Sequence, residues 1–293
     1  MSDLRARVGF VYVATGEAYL AEARHSAATL RRHHADVSIC LITDCPPVEP
    51  GPFTEIRRPA GPVERKPIDK LLAYEAPYEH VVFLDTDTHV VDDLAPVFRL
   101  LERFDLALLQ DVNRGWNYEL PDVPLAFSEF NTGVIAFRKS DAVAQFFRDW
   151  RTNHARLRAE LNLISDQPSF RRTLFHSPLR VAPLPSEFHF LGDYPNTTLW
   201  KVRLIHGRGN YSRVERQVNE TLGLRAYVPE LGVFPAYQGR RRLIRHLLQF
   251  CGRAIRLLAC GAESVTAKHP SNWWLGEGKP VPCEDATGHE RRS

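Results

Sequence analysis

Short runs of mostly apolar residues recur along the first half of the chain, at residues 8–14, 37–43, 80–84, 105–110 and 130–137. Runs of this length without polar alternation are typical of strands buried on both faces of a parallel sheet. The segment between the first two runs, residues 19–32, has the helical spacing of one apolar face. A strand, a helix and a strand in fewer than forty residues form a βαβ unit. The pattern therefore predicts an α/β fold with a mostly parallel, Rossmann-like sheet flanked by helices.

Polar residues stand where these runs end. Asp85 and Asp87 follow the run at residues 80–84, and Thr15 and Asp44 follow the first two runs. Ligands of open α/β sheets bind beyond the carboxyl ends of the strands, so we expect these residues to share one cleft. Two carboxylates at this spacing point the same way and repel, and a hard divalent cation relieves the repulsion. The alternative interpretation is a strand followed by an ordinary polar turn.

Three further residues each have a structural and a functional interpretation. Lys70 lies in a predicted helix that starts at residue 67, where it neutralises phosphate oxygens or is a solvated surface lysine. Asp166 precedes Pro168 as a helix N-cap would. His206 ends a predicted strand at residues 200–205, and the glycine that follows permits the close approach of a ligand, although a single histidine is more often structural.

The composition limits the classes of protein to which the chain can belong. Its 293 residues fit one large domain, or one domain with an appendage, and a formal net charge of +3 does not indicate a nucleic-acid partner. The five cysteines include no CxxC pair, which favours a reducing compartment and a cytoplasmic location. Residues 8–14 are interpreted as a first strand and not as a signal peptide, and no apolar run is long enough to span a bilayer. Without a GxGxxG motif, a dinucleotide-binding site is not expected.

The pattern changes near the C-terminus. Residues 240–258 combine an apolar face at helical spacing with many arginines, which predicts a basic amphipathic helix. Such a helix binds an anionic membrane surface, at its cytoplasmic face here, or packs on the domain with its arginines in solvent. We expect a catalytic domain at residues 1–235 and an appendage at residues 236–293 that contains this helix and a loosely structured tail.

The ordered motifs together resemble the retaining glycosyltransferases of the GT-A fold, in particular the glycogenin-like and lipopolysaccharide-galactosyltransferase-like nucleotide-diphospho-sugar transferases. The resemblance covers residues 8–210. Residues 83–88 look like the DxD segment of that family, and residues 130–134 are similar to its FNSGV strand. Asp166-Gln167 is similar to its DQ segment, and His206 with Gly207 matches its late metal-binding histidine.

The resemblance implies a role for each of these residues. Three residues would hold Mn²⁺, or Mg²⁺, against the diphosphate of a UDP-sugar donor: Asp85, Asp87 and His206. Thr15 and Asp44 would contact the nucleotide. Lys70 would contact the phosphates or the donor sugar, and Arg208 would add positive charge where the leaving group develops negative charge. The remaining residues would line the sugar and the reaction face: Asp111, Asn131, Asp166 and Gln167. The acceptor would be a hydroxyl of a saccharide or glycolipid, and the configuration of the sugar would be retained.

The sequence departs from the family in three places. His206 is followed by Gly-Arg-Gly-Asn, without the lysine of the family's Gly-x-x-Lys segment. Pro168 follows Asp166-Gln167, where the family continues without proline. Residues 112–129, expected to lie near the acceptor, match no family pattern.

Two other functions remain open from the sequence. A haloacid-dehalogenase-type phosphatase also uses an Asp-x-Asp motif after a strand, but His89 stands where that family has Thr or Val, and two strands precede the motif. The second alternative is a catalytically inactive transferase-fold binding module whose working part is the amphipathic helix. An EF-hand calcium loop is excluded because its glycine is missing and Pro96 replaces the bidentate glutamate.

Overall fold

The computed structural model describes residues 7–45, 49–111, 119–163, 165–235 and 251. The chain divides into two compact units, Met1–Leu247 and Leu248–Ser293. The predicted amphipathic helix at residues 240–258 and the predicted tail lie outside the described residues, apart from Cys251. No helix in the described part combines the length and the apolar character needed to cross a membrane.

The strands of the described residues are, in chain order, β1 Val8–Val13, β2 Ser38–Ile42, β3 Glu55–Arg57, β4 His80–Leu84, β5 Thr88–Val90, β6 Leu106–Gln110, β7 Phe130–Arg138, β8 Val181–Pro183, β9 Phe190–Leu191, β10 Asn196–Thr198, β11 Leu204–His206, β12 Arg225–Val228 and β13 Gly232–Pro235. The helices are α1 Glu17–His33, α2 Pro96–Leu100, α3 Asp141–Leu161, α4 Gln167–Phe175 and α5 Tyr211–Asn219, with 3₁₀ helices at Pro67–Glu75 and Ser186–Phe188.

Seven strands form the central sheet, in the order β3-β2-β1-β4-β7-β6-β8. All of its neighbouring pairs are parallel except those of β7, which runs antiparallel to β4 and β6. The carboxyl ends of β1, β2, β4 and β6 therefore meet at one edge, where the amino end of β7 also lies. The fold is α/β with a mostly parallel central sheet, as predicted.

Helices cover both faces of this sheet. One apolar layer joins alternate residues of the strands to the 3₁₀ helix Pro67–Glu75, α3 and α4, with Trp150 and Phe170 fully buried. The other layer joins the opposite faces of the strands to α1 and α2. Burial on both faces explains why the strand sequences are continuous apolar runs and not alternating ones.

The sequence located the long elements well and the short ones less well. The elements β1, α1, β2, β4, β6 and β7 agree with the predicted segments within a few residues. The helix expected from residue 67 is a 3₁₀ helix, and the strand expected at residues 200–205 is confined to Leu204–His206. The last strand is short because it belongs to a separate three-stranded sheet, β5-β11-β9, beside the edge of the central sheet.

Candidate active site

Asp85, Asp87 and His206 converge at the carboxyl end of β4. One potential ligand atom from each lies within 4.8 Å of the others. The Nε2 atom of His206 is 3.3 Å from Oδ1 of Asp87. Because oxygen ligands surround a divalent ion at about 2.0–2.6 Å, atoms at this separation can share one ion. The donor set of two carboxylates and one imidazole fits Mn²⁺ better than Mg²⁺.

The small sheet brings the histidine to the aspartates. β11 pairs antiparallel with β5, so that His206 lies opposite Thr88, directly after Asp87. The backbone N–H of Gly207 then donates to the carbonyl of Asp87 over 3.0 Å. Gly207 has a φ of 120°, a conformation that glycine adopts without strain.

A second glycine leaves room for the imidazole. The ring of His206 lies against Gly133 of β7, where an added Cβ would stand 2.1 Å from the Cε1 atom of the ring. The carbonyl of Gly133 also accepts a hydrogen bond of 2.8 Å from the backbone N–H of Asp85. Gly133 thus sets the position of both the histidine and the first aspartate.

The charges of this cluster influence one another strongly. Burial raises the pKa of Asp85, the neighbouring Asp87 raises it further, and Lys70 acts in the opposite direction. Burial alone would raise the pKa of Asp87, but His206 and Arg208 outweigh this effect and hold the pKa below its ordinary value. For His206, burial lowers the pKa, and the attraction of Asp87 more than compensates, so the pKa is raised. The carboxylates of the site and the cations around them thus compensate one another's charge.

Lys70 is buried between two carboxylates. Its Nζ atom is 3.4 Å from Oδ2 of Asp85 and 3.5 Å from Oδ2 of Asp166, and it donates to Oγ1 of Thr132 over 3.1 Å. Burial alone would lower the pKa of Lys70, but Asp166 and Asp85 raise it above its ordinary value. The interpretation of Lys70 as a solvated surface lysine is therefore wrong.

Asp166 occupies the N-cap position of α4, yet its side chain makes no capping hydrogen bond. The carboxylate faces Lys70 instead, and its Oδ2 atom is buried without a hydrogen-bond partner in the described structure. Asp166 is 4% exposed, so the burial of this acceptor costs desolvation free energy, which the charge of Lys70 offsets in part. The side chain does not act as an ordinary helix cap.

Asp111, Asn131 and Gln167 form a buried network beside this cluster. Oδ2 of Asp111 accepts hydrogen bonds from Asn131 Nδ2 at 3.0 Å and from Gln167 Nε2 at 3.1 Å. A β-bulge between Leu108 and Leu109 shifts the β6–β7 register just before these residues meet. The network holds three of the predicted reaction-face residues together.

A further carboxylate lies next to this network. Glu129 is 2% exposed, and both of its carboxylate oxygens lack a hydrogen-bond partner in the described structure. Burial raises its pKa to about 8; Asp111 adds to this increase, and Arg171, whose Nε is 3.9 Å away, reduces it. The Glu129 side chain is thus mostly protonated at neutral pH.

Thr15 and Asp44 lie at the same edge, but their side-chain polar atoms already have hydrogen-bond or ion-pair partners within the protein. Thr15 Oγ1 donates to Oδ2 of Asp69 over 2.8 Å. Oδ1 of Asp44 accepts the backbone N–H of Gly16 at 2.8 Å, and its Oδ2 pairs with Arg65. These contacts fix the two loops at the ends of β1 and β2.

Arg208 lies beside Asp87 in the cluster formed by Asp85, Asp87 and His206. Its Nη1 atom is 3.3 Å from Oδ2 of Asp87, and its Nε and Nη2 atoms donate to the carboxylate of Glu22 at 2.9 and 3.1 Å. Glu22 also accepts from Thr86 Oγ1 at 2.8 Å. Arg208 is more than half exposed, which leaves part of its guanidinium accessible to a ligand.

Sequence reasoning missed three residues that shape the site. Glu22 holds Arg208, Asp69 holds Thr15, and His189 contacts His206. Glu22 is one of many polar residues on the outer face of α1, and Asp69 stands out only by its position beside Lys70. His189 lies in an irregular segment, so no periodic pattern indicated it.

Comparison with known proteins finds one family that part of the chain resembles. Residues 78–209 match the model of the nucleotide-diphospho-sugar transferase family. This segment, a little under half of the chain, is similar to that family. No curated protein matches the chain significantly by sequence. The matched segment contains both aspartates of the cluster, the reaction-face network and His206.

Solved structures of nucleotide-sugar transferases share the fold. The galactosyltransferase LgtC in complex with donor and acceptor sugar analogues is 15% identical, with a TM-score of 0.51, over 69% of this chain and 87% of that one. An active-site mutant of LgtC is 15% identical, with a TM-score of 0.50, over 82% and 95% of the two chains. At this identity the likeness concerns the fold, which confirms the predicted GT-A architecture.

The family match over residues 78–209 indicates a transferase, and the sequence also predicted an enzyme of this class. The structure brings the predicted site residues to one edge of the sheet: Thr15, Asp44, Lys70, Asp85, Asp87, Asp111, Asn131, Asp166, Gln167, His206 and Arg208. Their individual roles stay predictions, because the family match and the shared fold do not test single residues.

Proposed function

We propose that the chain transfers a sugar from a UDP-sugar to a hydroxyl of a saccharide or glycolipid acceptor, in a reaction that depends on a divalent metal and retains the configuration of the sugar. The observation that carries the proposal is the convergence of Asp85, Asp87 and His206 with Lys70 at the ligand-binding edge of the sheet. Two carboxylates and an imidazole suit Mn²⁺, which would serve as a Lewis acid on the diphosphate leaving group.

The protein's own cations would assist the departure of that group. Lys70 is held between Asp85 and Asp166, and Arg208 is anchored by Glu22 with part of its guanidinium exposed. Both are pre-positioned, so they stabilise developing negative charge without reorganising during the reaction. Arg208 thereby takes the place of the lysine that is missing from this sequence after His206.

The reaction face would lie over Asp166 and the network around Asp111. The orphaned oxygen of Asp166 is suited to stabilise positive charge at the anomeric carbon. Gln167 is held by Asp111, so its amide has a fixed orientation toward the same region. These groups support retention by stabilising an oxocarbenium-like centre while the acceptor hydroxyl approaches.

We also propose that residues 236–293 form an appendage to the catalytic domain and that their arginine-rich amphipathic segment attaches the enzyme to the cytoplasmic face of an anionic membrane. This proposal is supported by the sequence pattern of residues 240–258. A lipid-linked saccharide acceptor would be presented at such a surface. Nucleic acid is not expected as a partner.

A turnover assay tests the proposed reaction. A panel of UDP- and GDP-sugars is incubated with the enzyme, and the released nucleoside diphosphate is measured with Mn²⁺ and with EDTA. We expect release from one UDP-sugar that requires the metal, because slow hydrolysis of the donor does not need the acceptor. Asp87→Ala removes a carboxylate from the proposed metal site and should reduce release to background.

A matched variant separates this effect from general damage. Asp149 lies exposed in α3 and accepts a hydrogen bond only from Gln145 of the same helix among the contacts described. Asp149→Ala should release nucleotide at the wild-type rate. Absence of release from every donor, together with no Mn²⁺-dependent binding of UDP, would contradict the proposed function. Phosphatase substrates and vesicle binding would then test the two alternatives.

A further inference from the structure

His189 is a buried residue directly behind the proposed metal ligand His206. It is 0% exposed and immediately precedes β9. Its Nε2 atom is 2.9 Å from Nδ1 of His206, and the two ring centroids are 5.0 Å apart. The contact joins two imidazoles through their nitrogens, so one of the two nitrogens must carry the hydrogen and the other must accept it.

The orientation of the His206 ring decides which nitrogen donates. Nε2 of His206 faces Asp87, and Nδ1 faces His189. A metal ion at Nε2 needs the lone pair of that nitrogen, so the hydrogen of His206 must then reside on Nδ1. Nδ1 in turn needs an acceptor, and Nε2 of His189 is within hydrogen-bond distance of it.

The backbone around the two rings leaves little freedom for another arrangement. β9 and β11 pair in parallel, with Leu191 opposite His206, so His189 is fixed two residues from that pair. Gly133 also lies against the His206 ring, without room for a Cβ there. When Nε2 of His189 accepts, the hydrogen of that ring resides on Nδ1, which is buried and has no hydrogen-bond partner among the described residues.

We propose that His189 is a positioning residue that accepts the Nδ1–H of His206 and so holds the Nε2 lone pair of His206 toward the metal. This inference rests on the metal site of the proposed function. Partners of this kind behind a ligating histidine fix its tautomer and ring orientation, and their loss typically reduces metal affinity about 10–100-fold.

Metal affinity tests the inference without any turnover. The full chain is titrated with Mn²⁺ in the presence of UDP, and the concentration of free Mn²⁺ is measured by electron paramagnetic resonance. His189→Phe keeps the ring volume and removes the acceptor, so the Mn²⁺ dissociation constant should rise about 10–100-fold. His189→Gln places an amide oxygen at a similar reach and should restore affinity to within a few-fold of the wild type.

His34→Phe is the control for a buried histidine. His34 accepts a backbone hydrogen bond from Leu94 N at 3.0 Å, and its side chain is 9% exposed. This variant should bind Mn²⁺ as the wild type does. Wild-type affinity in His189→Phe would overturn the inference while leaving the proposed metal site intact. A wild-type chain that binds no Mn²⁺ would overturn the proposed function and the inference together.

A spectroscopic measurement on the wild type covers the case in which His189→Phe does not fold. ¹⁵N-histidine spectra of the chain loaded with diamagnetic Zn²⁺ should show a protonated Nδ1 on His206 and an unprotonated Nε2 on His189. A protonated Nε2 on His189 in the loaded protein would contradict the inference.

Discussion

Two groups of polar residues at the same edge of the sheet differ in how completely the protein satisfies them. The carboxylate cluster, which consists of Asp85, Asp87 and Asp166, retains an orphaned buried oxygen and relies on nearby cations. The loop network, which consists of Thr15, Gly16, Asp44, Arg65 and Asp69, pairs its polar atoms with one another at 2.7–3.0 Å.

We propose that this difference separates residues that bind a ligand from residues that shape the site. A buried charge without sufficient partners destabilises the protein. Binding of an opposite charge therefore stabilises the protein most at such a group. The loop network would gain little from a ligand, because a nucleotide would have to replace hydrogen bonds that already exist. We therefore expect substitutions in the carboxylate cluster to have large effects and those in the loop network to have small ones.

The largest effect on stability is expected from Lys70→Met. The substitution leaves Asp85 and Asp166 facing each other without their shared cation, and removing one partner of a buried ion pair costs about 3–5 kcal/mol. Urea unfolding without metal should show this loss, and added Mn²⁺ should recover part of it. Lys201→Met is the control, since Lys201 is half exposed and pairs with Asp92 at 3.0 Å. Equal stabilities of the two variants would mean that Lys70 does not compensate the cluster.

An intermediate effect, dependent on pH, is expected from Glu129→Gln. The folded protein keeps the proton of Glu129 up to about pH 8, whereas the unfolded chain releases it near 4.5. The wild type should therefore lose stability as pH rises from about 4.5 to about 8. The glutamine variant should lack this part of the dependence, with a Tm several degrees above the wild type at high pH and little difference at pH 4.5.

The measurement is a series of thermal melts across that pH range. Glu160→Gln serves as the comparison, because Glu160 is exposed and pairs with Arg156 within α3. It should follow the wild-type profile. Parallel pH profiles for Glu129→Gln and the wild type would show that Glu129 is ionised in the folded protein.

The smallest effect is expected from Asp44→Asn in the loop network. The amide oxygen can still accept the Gly16 N–H, and only the pair with the exposed Arg65 is lost. Exposed ion pairs contribute about 0–1 kcal/mol, so the free energy of unfolding should change by less than that. The KM for the donor should rise only a few-fold in the turnover assay. A loss of activity as large as that of Asp87→Ala would place Asp44 among the essential contacts.

The sequence predicted most of the elements that build the site. Continuous apolar runs identified β1, β2 and β4, and the parallel arrangement of these strands placed Thr15, Asp44 and Asp85 at one edge. Because these strands are buried on both faces, their hydrophobic signal is strong, and the residues that follow them are easily recognised.

The hydrophobic pattern alone could not predict contacts made by very short elements. β5, β9 and β11 have two or three residues each, too few for a hydrophobic period, yet they bring His189 and His206 to Asp87. The side chain of Asp166 was equally ambiguous, because capping and cleft-facing aspartates look the same in one dimension. Only the position of Lys70 in three dimensions decides between them.

The strand β7 connects the two halves of the proposed active site. Asn131 is tied to Asp111 on the reaction side, and Gly133 is tied to Asp85 and His206 on the metal side. Two residues along a strand span about 6.5 Å, so the covalent backbone of β7 fixes the distance between the two halves. In every nucleotide-diphosphate sugar the reacting carbon is joined to the diphosphate through one oxygen, so this spacing would serve any donor sugar of the class. Changing the sugar by protein engineering should therefore succeed around Asp111 and fail within β7.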